Sequence, residues 1–185
     1  MRTGAAGGDA TGMFSSDDLL GDIYAGPYVE LEPELAFVLD AGGGAVGYVL
    51  GTASTAGFVD RFSREWLPRV AGKYPTPGSA GVQPSDERFL EALHNPDRML
   101  VEGLEAFPAH LHIDILPSHQ GQGWGRRLIE TFCQAVSQAG ATGVHLGVAP
   151  TNTRAIAFYE KVGFHHLVLP APTGAVFLGM TLSAA

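Results

Sequence analysis

Three sets of residues in this chain have types and spacings that could do chemistry. The first is "QGQGWGRRL", Gln120 to Leu128, with glycine at every second position and then two arginines. Each glycine loses extra conformational entropy on folding, so such a run serves a tight turn or a close approach of backbone to something else. It sits between an apolar segment ended by Pro117 and a stripe of helical period that begins at Trp124. At such a junction free N–H groups converge and the helix dipole adds positive potential, the setting of an anion cradle. Two common cradles are excluded. A P-loop needs lysine and then serine or threonine after its last glycine, where Arg126 and Arg127 stand. A dinucleotide fingerprint needs glycine at position 126 and an acidic residue about twenty positions on, but no Asp or Glu occurs between Glu130 and Glu160. A turn that binds nothing stays open as the alternative.

The second set is His110, His112 and Asp114, which alternate in "HLHIDILP" and share one face if that strand is regular. Any of them could take a proton. The third is Asn152 with Phe158 and Tyr159, on a segment of helical period. Asn152 is placed to cap that helix, Phe158 to pack, and Tyr159 to pack while carrying a weakly acidic hydroxyl. A buried tyrosine with a satisfied hydroxyl is the plain alternative for Tyr159.

The elements that must position these residues follow from periodicity. The leader, 1–12, is rich in glycine and alanine and reads as flexible. A helix capped at Ser16 is expected to break near "AGPY". "LAFVLDAGGGAVGYVLGT" reads as a hairpin. Phe58, Phe62, Trp66 and Val70 recur every four residues on an amphipathic helix. After the loop "YPTPGSAGVQP", Ser85 is expected to cap a helix carrying Phe89, Leu90 and Leu93. Strands follow at "HLHIDILP", "GVHLGVAP", "HHLVLP" and "AVFLGMTL". Between them lie a helix striped by Trp124, Leu128, Phe132 and Val136 and closed by Gly140, and a second one ended by Gly163. Strand, helix, strand, helix, strand suggests an α/β layered domain, here 13–185.

Composition narrows the partners. The chain has 185 residues, 45% hydrophobic and 16% charged, which describes a folded globule. A formal charge of −8 argues against nucleic acid as the main partner and is compatible with a cationic or amine-bearing ligand. The single cysteine, Cys133, allows no internal disulfide. With no signal-like apolar run and no stretch long enough for a membrane span, a cytoplasmic protein is expected.

"ILPSHQGQGWGRRLIETF" resembles the coenzyme A signature of the GNAT superfamily of N-acetyltransferases, with Gln120, Gly123 and Gly125 at its fixed positions. "NTRAIAFYEKVGF" resembles the same superfamily's second signature. Order and separation of the two agree with the family, and the match runs from His110 to the C-terminus. Upstream the usual first strand and much of the first helix are expected to be missing. A long helical insertion fills the space before the family's fourth strand. With "WLPRVAGKYP" and "LHNPDRMLVEGLEAFP" it is similar to the acetyltransferase-like C-terminal domain of eukaryotic O-GlcNAcases, whose catalytic competence has been in doubt.

The resemblance implies an α/β (α+β) fold with a mixed central sheet flanked by helices, whose two neighbouring parallel strands splay apart. It implies acetyl-CoA as cosubstrate, with no metal, and acetyl transfer to a primary amine; a silent acetyl-CoA-binding module is the alternative. By the same resemblance, the backbone of Ile115 and Leu116 would pair with pantetheine. The amides of Gln120, Gly121, Gln122, Gly123, Trp124 and Gly125 would hold the pyrophosphate, with Arg126 at the rim. Trp124 itself is expected to anchor the core. Asn152 would bond the pantetheine amide, Phe158 would line the channel, and Tyr159 would protonate the leaving thiolate. The family tends to bulge the His110–Asp114 strand; Asp114, beside the thioester, is the first choice of base, with a carboxylate bonded to a neighbouring strand or helix as its plain alternative. The insertion, bearing Trp66, Tyr74 and Phe107, would roof the acceptor side and favour a small-molecule amine over a protein lysine.

Overall fold

In the computed structural model, described over residues 11–183, the chain forms a mixed sheet covered on both faces. The expected flexible leader lies almost wholly outside the described residues. The strands are β1 (Phe37–Asp40), β2 (Ala45–Thr52), β3 (Ala109–Ile115), β4 (Gly143–Val148), β5 (His165–His166) and β6 (Val176–Thr181). Their order across the sheet is β1-β2-β3-β4-β6-β5. All neighbours are antiparallel except β3 and β4. The expected hairpin is β1–β2. The segment expected as a strand over "HHLVLP" pairs only at His165 and His166.

Helix α6 (Trp124–Gln138) packs one face of the sheet, and α7 (Thr153–Lys161) lies beside it. Leu128, Ile129, Phe132, Cys133 and Val136 recur at helical spacing and are all buried. They meet Val49, Leu111, Val144 and Leu178 of alternate strand positions. Phe132 is fully enclosed, and truncating such a phenylalanine costs about 3–5 kcal/mol.

The other face is covered by α1 (Leu19–Tyr24), α2 (Gly26–Leu31), α3 (Thr55–Arg61) and α5 (Pro84–His94). Between α3 and the short α4 (Leu67–Val70) the helix widens into a π turn, Phe62–Trp66. Tyr28, Leu50, Phe58, Phe62, Leu90 and Leu93 form this second core. The expected break falls at Ala25, where α1 gives way to α2. Neither expected serine cap forms: α1 begins after Asp18, with Ser16 Oγ accepting from the Asp18 amide. α5 begins after Gln83, leaving Ser85 inside it and bonded to Asp86. Pro84 at the first helical position explains the earlier start. Among the described residues no helix is long and apolar enough to cross a membrane.

Candidate active site

β3 and β4 start together and then part. Their ladder consists of Ala109↔Val144 and His110↔His145 alone. β3 runs on to Ile115, held by six pairs to β2, and β4 runs on to Val148, held by six pairs to β6. Each strand thus keeps its outer partner and leaves its inner edge open. Antiparallel pairs alternate in which residues face the partner, and the Leu116 amide donates to the Val46 carbonyl at 2.8 Å. Counting back in twos, Asp114 and His112 turn their backbone groups toward β2, while Ile113 and Ile115 turn theirs into the gap. The expectation that Leu116 also offers its amide to the gap is therefore corrected: Val46 takes it.

This gap widens into a cleft of about 770 Å³, within the usual size of small-molecule sites. Gln120, Gly121, Gly123, Gly125 and Arg126 line one end of it. Ile113, Asp114, Ile115, Asn152, Phe158 and Tyr159 line the remainder. Gln122 and Trp124 do not. Trp124 is no core anchor either: its Nε1 donates to Gln122 Oε1 at 3.4 Å and Arg127 lies over its ring, 5.0 Å from the centroid. A stripe position in the first turn overhangs the loop rather than the sheet, which is why periodicity misplaced it.

The two glycines that flank Trp124 are small for different reasons. Gly123 has φ +85 and caps α6, and a Cβ built there meets no protein atom within 4 Å. That space is open, and Gly123 is among the residues lining the cleft. Gly125 is not in the left-handed region; its Cβ would lie 2.9 Å from Cζ of Phe158. It is small so that α7 can approach. The first helical bond closed here is Arg127 N–H to Gly123 C=O at 3.3 Å. The amides of Trp124, Gly125 and Arg126 are thus left without an intrahelical acceptor. Gln120 braces the loop by donating from Nε2 to the Ile115 carbonyl at 2.8 Å. Arg126 donates to the Lys161 carbonyl at 2.9 Å and so links α6 to the end of α7. Arg154 and Lys161 also line the cleft. Sequence reading missed these two cations, although a spacing of seven on one helix places them on one face.

Asn152 takes the capping role, its Oδ1 accepting from the Ala155 amide at 3.2 Å. Tyr159 packs edge-on against Phe164 and beside Phe158. Its hydroxyl has no hydrogen-bond partner among the described residues. Burial first, and then the charge of Asp114, raise its pKa and keep it a neutral acid. No bulge interrupts β3: the β2–β3 register is continuous from Gly47↔Ile115 to Thr52↔His110. His110, His112 and Asp114 therefore share the face covered by α1–α5. Asp114 accepts from the Tyr48 hydroxyl, which lies opposite it on β2, at 2.7 Å. Deeper in the same face, the Tyr28 hydroxyl lies 2.7 Å from Nε2 of His110 and 3.0 Å from Nε2 of His112. No local pattern announces Tyr28 or Tyr48; they meet β3 only through the fold. His165 and His166 are exposed, with His166 near Glu160. Among the described residues no group of His, Cys, Asp or Glu is arranged to hold a metal ion.

The insertion does not put its aromatics over the cleft together. Trp66 Nε1 donates to the Asp22 carbonyl and the Tyr74 hydroxyl to the Asp22 carboxylate, both at 2.8 Å. Both therefore lock the insertion onto α1 and complete the second core. Phe107 lies elsewhere, with its carbonyl accepting from Nδ1 of His145 at 2.7 Å and its ring against His165.

The site is thus a sheet opened between two parallel strands, with a glycine turn and a helix N-terminus beside the gap. Residues 78–164 match the Acetyltransferase (GNAT) family, and the chain belongs to that family. It superposes on the crystal structure of SsHAT with a TM-score of 0.90 and 48% identity, over 98% of this chain and 89% of that one. It is 26% identical over 171 residues to the protein O-GlcNAcases of Rattus norvegicus and Mus musculus. That alignment covers 91% of this chain but spans only 19% of those proteins. A crystal structure of an acetyltransferase, 18% identical with a TM-score of 0.55, shares the fold.

Proposed function

We propose that residues 13–185 act as one domain that transfers an acetyl group from acetyl-CoA to a primary amine, and that the amine belongs to a small molecule. The observation that carries the reading is the open inner edge of β3 and β4, lined by orphan helix amides, Tyr159 and Asp114. Those amides and the cations Arg126, Arg154 and Lys161 suit a pyrophosphate and its neighbouring phosphate. The gap-facing backbone of Ile113 and Ile115 suits an extended pantetheine arm, and an N–H there would polarise the thioester carbonyl. An alkyl ammonium has a pKa of about 10 and must lose a proton before attack; Asp114 receives it. Nitrogen bonds to the carbonyl carbon, the carbon–sulfur bond breaks, Tyr159 gives its proton to the departing sulfur, and the second proton lost by the nitrogen restores the phenol.

The support for a small acceptor differs from the roof of aromatics expected from sequence. It is the close cover of α1–α5 over the face carrying Asp114, where an extended peptide would need an open groove. One observation favours the second reading, a silent acetyl-CoA-binding module: the Asp114 carboxylate is already held by Tyr48. Thiol release from acetyl-CoA across a panel of small amines and a lysine peptide separates the readings. Turnover with small amines supports enzymatic transfer. Acetyl-CoA binding without release on any acceptor supports the silent module, and peptide turnover alone removes the small-molecule assignment.

A further inference from the structure

Four side chains on the helix-covered face form a hydrogen-bonded line that the acetyl-transfer reading leaves unused. Thr55 Oγ1 lies 2.8 Å from the Pro108 carbonyl oxygen and 2.8 Å from Nδ1 of His110. A carbonyl only accepts, so the single threonine proton sits on that contact and Nδ1 of His110 carries its own hydrogen. Burial keeps the His110 ring neutral, which leaves its Nε2 bare. That nitrogen accepts from the Tyr28 hydroxyl at 2.7 Å, itself held protonated by burial. Tyr28 has then used its one proton. Its oxygen also lies 3.0 Å from Nε2 of His112, and this contact is a hydrogen bond only if His112 donates.

The His112 ring is neutral as well, burial and then the Arg98 charge pushing its pKa down to about 4. With the hydrogen on Nε2, Nδ1 is a bare lone pair. It has no hydrogen-bond partner among the described residues. His112 is half-buried, so its ring is not sealed from solvent. Around the ring stand Tyr24, Tyr28 and His110, edge-on, with Arg98 and His145 as further charged or titratable neighbours. A fixed cation nearby opposes protonation and keeps Nδ1 an acceptor.

We infer that the Thr55–His110–Tyr28 line locks His112 in its Nε2–H tautomer, so that Nδ1 accepts an N–H of the acceptor amine and holds that nitrogen beside Asp114. The inference rests on the acetyl-transfer reading. His112 and Asp114 are two residues apart on one face of a regular strand, about 6.6 Å along it. A nitrogen between them can reach both at hydrogen-bond distances of about 3 Å. A neutral primary amine has two N–H groups and a lone pair. With one N–H toward Asp114 and the other on His112, the lone pair is left for the thioester carbon. The arrangement favours primary amines, since a secondary amine can give an N–H to only one of the two groups. His112 is in this account a binding and orienting residue, and Tyr28, His110 and Thr55 are positioning residues behind it.

Histidine-selective 15N NMR of the whole chain reads the lock without turnover. His112 should show a protonated Nε2 and a bare Nδ1 near neutral pH, and Tyr28→Phe should let the ring redistribute between tautomers. A protonated Nδ1 in the wild type overturns the inference. In the transfer assay His112→Phe should raise the KM for the amine about tenfold, the worth of one hydrogen bond, with the KM for acetyl-CoA unchanged. His112→Asn should recover most of that loss, because its amide oxygen can stand where Nδ1 stood. An unchanged amine KM in a folded His112→Phe variant, or no recovery in a folded Asn variant, also overturns it. Should the wild type acetylate no amine at all, the acetyl-transfer reading fails and takes the orienting role with it. The tautomer measurement still decides the lock.

Discussion

Substituting Gly123 separates two uses of a glycine that are usually confused. Its φ is +85 and its ψ −6, in the left-handed region where an alanine costs about 1–2 kcal/mol. No protein atom lies within 4 Å of the added Cβ, so no packing term is added to that strain. For a chain of this size each kcal/mol moves the melting temperature by about 2–4 °C, and Gly123→Ala should lower it by about 2–8 °C without unfolding the protein. The Cβ projects into open space, which the proposed acetyl-CoA site would fill with phosphate oxygens. Loss of one hydrogen bond from a backbone amide to a charged oxygen is worth about 1.5–3 kcal/mol, so acetyl-CoA affinity should fall at least about tenfold by isothermal titration. Gly123→Asn is the control. Asparagine tolerates the left-handed region and should regain most of the stability while still carrying the Cβ. Weak binding by the stable Asn variant supports close approach of ligand to backbone. Full affinity in the folded alanine variant refutes the cradle.

Gly125→Ala should behave differently, because its Cβ would strike the Phe158 ring at 2.9 Å; overpacking should cost about 1–3 kcal/mol of stability in urea unfolding. Tyr159→Phe should lower kcat about a hundredfold while barely changing the KM for acetyl-CoA, and full activity would return Tyr159 to packing alone. Burial places the His112 pKa at about 4, below the ordinary 6.5. Its neutral ring therefore contributes stability that is fully present above pH 6.5 and is lost as pH falls toward 4, on the order of 3 kcal/mol in all. Urea unfolding at pH 7 and pH 4.5 should show a smaller acid loss for His112→Asn than for the wild type. Cys133 is buried, with its thiol pushed up to about 12, so a thiol reagent at pH 8 should label it only after unfolding.

Residue order alone determined what depends on near neighbours. Leu128, Ile129, Phe132, Cys133 and Val136 announce α6 because a helix brings every third and fourth residue to one side. The β1–β2 hairpin follows from two apolar runs about a glycine turn. The turn at Gln120–Gly125 and the helix at Asn152 likewise carry their signatures in consecutive residues, so most of the cleft lining was legible. Tertiary structure decided what depends on residues meeting from far along the chain. Tyr28 reaches His110 across 82 positions and Tyr48 reaches Asp114 across 66, separations at which no periodicity survives. The role of Gly125 was invisible for the same reason, since the atom it makes room for lies on another helix. Trp66 and Tyr74 could be recognised as aromatic anchors, but only the packing of α1 made Asp22 their partner. The opening between β3 and β4 is a matter of which ladder each strand keeps, a competition among backbone hydrogen bonds that no single segment encodes.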